Sequence, residues 1–125
     1  SSNRDRTLED FRTRENMWEQ TKIAREFMES LPVQKMKPND KLTSNGLCLA
    51  DVGNIYVVYL LNGGSAKLDL GTANGSFSVK WFDPRNGGNL QIGTIKNIAG
   101  PGKKSIGKPH SSSEQDWVAI IKCNQ

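Results

Sequence analysis

The apolar residues of this chain change their period at Asn45-Gly46, from about 3.6 on the N-terminal side to 2 on the C-terminal side. A chain with that switch has to place one helix ahead of a set of strands. It also has to close the oily faces of those strands against something.

Before the switch, Leu8, Phe11, Trp18, Ala24, Phe27, Met28 and Leu31 fall mostly three, four and seven residues apart. This spacing predicts one amphipathic helix over residues 8–31, with a single apolar stripe. Lys22–Glu26 and Arg25–Glu29 sit at i,i+4 on its polar side, each pair worth about 0.2–0.5 kcal/mol. Pro32 ends the pattern, because it has no N–H to donate and restricts the residue before it. Residues 32–46 read as a polar crossing with Pro32 and Pro38.

After the switch, short alternating runs follow one another. Strands are expected at 47–51, 55–61, 66–70, 76–82, 90–95 and 117–122, separated by Asn-Gly, Gly-Gly and Asp-Pro turns. Phe77, Val79 and Trp81 should point inward, with Ser78 and Lys80 outward. In the last run Trp117, Ala119 and Ile121 share one face and Val118 and Ile120 the other, so both faces need cover. The expected fold is mainly β, an antiparallel β-sandwich with an N-terminal amphipathic α-helix; a small barrel would satisfy the same pattern. Residues 1–46 are read as helix and linker from a junction with an upstream domain, and 47–125 as the sandwich. The stripe with Phe11, Trp18 and Phe27 is too apolar to stay wet, so it must meet the sheets, another domain or another chain.

Composition narrows the function. Hydrophobic residues make up 35% of the chain, too many for a disordered segment. No apolar run approaches the roughly 20 residues that span a bilayer, so no membrane partner is expected. The net charge of +4 comes wholly from residues 41–125, with nine basic and five acidic groups. Charged surface loops account for it, and no nucleic-acid partner is expected. His110 stands alone in a serine-rich loop, without a base and an orienting group to make a triad. Gly100–Ser105 lacks the order of a phosphate-binding loop. Two cysteines, Cys48 and Cys123, are too few for a zinc cluster and are either a bridge between the first and last strands or two buried thiols. No cofactor is implied, and this chain is read as non-catalytic. The candidate ligand contacts are Trp81, Asp83 and Arg85, where a strand runs into a turn. Trp81 could stack on a sugar ring while Asp83 and Arg85 bond its hydroxyls; alternatively, the two charged residues tie the turn together.

Several segments in order carry a family likeness: Val57–Gly64, Leu68-Asp69-Leu70, Val79-Lys80-Trp81-Phe82-Asp83-Pro84-Arg85 and Asp116–Ile121. Together they resemble the family called "putative collagen-binding domain of a collagenase". Trp18–Phe27, Leu31-Pro32 and Met36–Asp40 are similar to the segment that joins such domains to an upstream barrel. The likeness covers residues 17–122; the 96–115 stretch, with its serine cluster, departs from the pattern. It implies a C-terminal domain behind a glycoside-hydrolase-like (β/α)8 barrel, in a secreted or periplasmic, bacterial setting. The catalytic carboxylates would then lie on the barrel. Two roles follow from it: an accessory domain that buttresses the barrel or binds polysaccharide, or a module that binds collagen or another extracellular protein.

Overall fold

The computed structural model describes residues 22–124. The first element, α1 (Lys22–Glu29), falls within the expected helix; Leu8, Phe11 and Trp18 lie outside the described residues. The last helical bond runs from Ser30 N–H to Glu26 O at 3.2 Å, shared with Phe27 O at 3.0 Å, and Pro32 leads into a 3-10 turn at Val33–Lys35. Lys22 and Glu26 pair at 3.8 Å across an exposed surface.

Eight strands follow: β1 (Lys37–Pro38), β2 (Leu47–Asp51), β3 (Ile55–Leu60), β4 (Lys67–Asp69), β5 (Ser76–Phe82), β6 (Gln91–Ala99), β7 (Lys103–Ser105) and β8 (Trp117–Cys123). Six of them form one antiparallel sheet in the order β1-β2-β3-β8-β5-β6, and β4 pairs with β7 in a small second sheet. The last strand in sequence therefore lies inside the large sheet, flanked by β3 and β5. Both of its faces are covered, by the small sheet on one side and by α1 and the crossing on the other, which is why β8 is apolar on both.

Each face of the large sheet has its own core. On one, Tyr56, Val58, Phe77, Val79, Trp81 and Ile121 close against Leu68, Leu70 and Ile106 of the small sheet and its margins. On the other, Val57, Tyr59, Phe82, Val118 and Ile120 pack with Met28 of α1 and Met36 of the crossing. The result is the expected sandwich with a helix laid on its outer face. Each fully buried side chain of this size is worth about 1.5–3 kcal/mol, several times an exposed ion pair.

The structure departs from the sequence reading in two places, and it decides between the two readings of the cysteines. β1 and β7 were not expected: one is a two-residue edge strand with a proline, the other is exposed throughout, and neither has an alternating apolar face. β6 runs over 91–99 instead of 90–95 because its pairing with β5 slips, from Ser78↔Asn97 to Lys80↔Ile92. The extra residues leave the β5 ladder: Gly93 packs under the Trp81 indole, Ile95 against the same core, and Thr94 N–H donates to Lys108 O at 2.8 Å. The cysteines do not bridge, since β3 separates their strands. Cys48 sits opposite Val58 and Cys123 opposite Asn54, which puts them about 16 Å apart by strand spacing and rise, against the roughly 7 Å a disulfide tolerates.

Candidate functional site

The corner between β5 and β6 holds two of the three expected contact residues. Asp83 leaves β5 and turns back on itself. Its Oδ1 accepts from Arg85 N at 2.8 Å and Asn86 N at 3.2 Å, and its Oδ2 accepts from Asn86 Nδ2 at 3.0 Å. Gly87 N–H closes the turn on Asp83 O at 2.8 Å. Arg85 Nε lies 3.2 Å from Asp83 Oδ1 and donates to Asp116 O at 3.3 Å, while its guanidinium stands over the Trp117 ring at 5.2 Å. The pair thus ties the turn to the start of β8. Arg85 Nη2 is buried there without a hydrogen-bond partner.

Trp81 is not at this surface. It is fully buried (0% exposed), directed into the core beneath the small sheet, and offers no ring face to a sugar. Its indole edge lies so close to Gly93 that a Cβ there would fall 2.4 Å from Nε1. The alternation that sends Trp81 inward sends Phe82 to the other face, but Phe82 is covered too: the Phe27 ring of α1 stacks on it at 3.8 Å. Tyr56, Tyr59, Phe77 and Trp117 are likewise buried. An aromatic platform is therefore absent among the described residues.

Beside the Arg85 corner, Asp116 Oδ1 accepts from Asn62 N at 2.8 Å and its Oδ2 lies 3.5 Å from the Tyr59 hydroxyl. Burial, and then the Asp116 charge, push the Tyr59 phenol up to about 12. The other described aspartates are also engaged. Asp40 accepts from Cys48 N, Asp51 from Asn54 Nδ2, and Asp69 from Gly71 N. His110 is exposed. Among the described residues there is no group of three or more His, Cys, Asp or Glu able to hold a metal ion.

A surface that the sequence reading did not single out lies on the helix-bearing face, bordering the apolar cluster around α1 at Ile120 and Ile55. Ser78 pairs with Lys122 on one side and Asn97 on the other, and Lys80 pairs with Ile120 and Ile92. Directly paired residues share a face, so these side chains form two adjoining rows. Asn124 extends the surface by donating to Ser76 Oγ at 2.7 Å and Asn97 Oδ1 at 3.3 Å. The available signal was the outward parity of Ser78 and Lys80; the strand order that brings Lys122 and Asn97 beside them could not be read from periodicity.

A family model described as "Putative collagen-binding domain of a collagenase" matches residues 31–122, most of the chain. The chain belongs to this family. The match begins just after α1 and runs through β8, so it takes in the crossing and both sheets. A solved structure described as "Glycoside hydrolase" is similar, with a TM-score of 0.64 over 84% of this chain at 20% identity. At that identity the likeness is one of fold. The chain spans 25% of the length of that structure. No curated protein matches the sequence.

Within the family domain, the Trp-Phe-Asp-Pro-Arg run has a clear structural logic: Trp fills one core, Phe the other, and Asp and Arg lock the turn that follows. The Asp-Trp-Val run does the same at the start of β8, with Asp116 holding Asn62 and Trp117 Nε1 donating to Ser112 O at 2.9 Å.

Proposed function

We propose that this chain is the non-catalytic accessory domain of a longer glycoside hydrolase. It stands C-terminal to a (β/α)8 barrel that bears the catalytic carboxylates, in a secreted or periplasmic protein. The fold shared with one quarter of a glycoside hydrolase chain carries the reading. On this reading residues 1–46 belong to the junction and 47–125 to the accessory sandwich. The domain supports the barrel by packing and contributes polysaccharide contacts away from the catalytic centre. The test compares the full-length protein with a form ending before residue 31. The truncated form should melt at a lower temperature and still turn over a small aryl glycoside. Glycoside hydrolysis by the isolated domain would overturn the proposal.

The family description favours a second reading, a module that binds collagen or another extracellular protein. A triple helix would need a long apolar groove. The large exposed apolar side chains among the described residues, Ile23, Val52, Leu61, Leu90 and Ile92, are spread over α1, two turns, the loop ahead of β6 and β6 itself. Titration of the domain with native collagen separates the two readings: saturable binding supports the second.

A further inference from the structure

We infer that the open half of the helix-bearing sheet face, built around Lys80 and Lys122, is a binding surface for a carboxylated polysaccharide. The inference deepens the accessory-domain reading and rests on it for the class of ligand; the site itself rests on strand register. Lys80 and Lys122 lie on neighbouring strands two residues out of step, so their backbones are roughly 8 Å apart. Both are exposed, and neither forms an ion pair among the described residues. Like charges at this diagonal spacing repel, and a bound anionic group would relieve them. The next carboxylate in the Lys122 row is Asp51, beyond Ile55 and about 10 Å away across two strand spacings. The two lysines stand on the part of this face farthest from its carboxylates, Asp51 and Asp116, and a local pair of positive charges is complementary to an acidic chain.

The rest of the surface selects a glycan over an acidic protein. Ser76, Ser78, Asn97 and Asn124 supply hydroxyl and amide groups that can exchange hydrogen bonds with sugar hydroxyls. Ile92 at the edge is half exposed and offers an apolar patch to a sugar's C–H face. A protein partner would be expected to insert a buried aromatic or arginine anchor, and an open pleated surface provides no pocket for one.

The experiment titrates the domain with polygalacturonate and with the same polymer after methyl esterification, which removes the charge and keeps the backbone. The free acid should bind, and binding should weaken as salt is raised from low to physiological strength. Lys80→Gln and Lys122→Gln should each weaken it about two- to fivefold, the range of an exposed ion pair. Lys103→Gln, on the small sheet, should leave affinity unchanged. Equal binding of the esterified polymer, insensitivity to both substitutions, no binding at all, or binding only to an acidic protein would each overturn the inference. None of these outcomes would touch the support of the barrel by packing, which stands or falls on the truncation of the full-length protein.

Discussion

Truncating Phe82 should detach the helix from the sheet. Phe82 is 5% exposed and lies between the sheet and Phe27, with the two rings 3.8 Å apart and 6° from parallel. A stack this close to face-to-face gains little from ring electrostatics, which prefer offset or edge arrangements. Its value is burial. Phe82→Ala should therefore cost about 3–5 kcal/mol, the range for a buried phenylalanine whose site does not fully collapse. Phe27 is only half buried, so Phe27→Ala should cost less, about 1–2 kcal/mol on a burial scale. The two rings share their contact, so the double mutant should fall short of additivity by about 0.5–3 kcal/mol. Urea unfolding of the four proteins gives the cycle. Phe82→Leu, which keeps most of the volume, serves as the reference if the alanine variant is unfolded at the outset. Additivity within about 0.5 kcal/mol, or a Phe82→Ala cost below about 1 kcal/mol, would refute the docking of α1 on this face.

Other consequences follow from single sites. Tyr59 is an acid whose folded pKa is raised to about 12, so its share of stability is intact below about pH 10 and is lost as pH rises through 12. That share is about 3 kcal/mol, and tyrosinate absorbance should show both phenols titrating above the ordinary range, since burial raises Tyr56 as well. Asp83→Ala removes two backbone caps and the partner of a partly buried cation, for a loss of about 2–3 kcal/mol; Asp83→Asn, which keeps an acceptor, should lose less in thermal melts. Gly63→Ala should destabilise strongly, since φ is +74° and a Cβ would lie 1.7 Å from Ser113 O; its melting temperature should fall well below that of Gly53→Ala, where φ is also positive but nothing is nearby.

What the sequence could reveal depended on whether a side chain or a backbone partner did the work. Strands β5 and β8 were legible because their side chains alternate between two environments, and β3 because it is rich in β-branched and aromatic residues. The split of Val118 and Ile120 from Trp117 and Ile121 even marked β8 as a strand covered on both faces. β1 and β7 exist through pairing alone and left no periodic trace. Trp81 was correctly turned inward by alternation, yet its type suggested a ligand platform; the small sheet above it, which seals the ring, depends on a long-range pairing of β4 with β7. The Lys80–Lys122 surface was hidden for the same reason, since only strand order makes neighbours of residues 42 positions apart.

The account depends on β8 lying between β3 and β5. The most direct measurement is the set of cross-strand proton contacts of β8 in solution by nuclear magnetic resonance. Contacts of Ile120 with both Val57 and Lys80, and of Ala119 with both Val58 and Trp81, are the predicted result. A β8 that contacts only one neighbour, or pairs with β6 at the edge, would contradict the two-faced sheet and everything built on it.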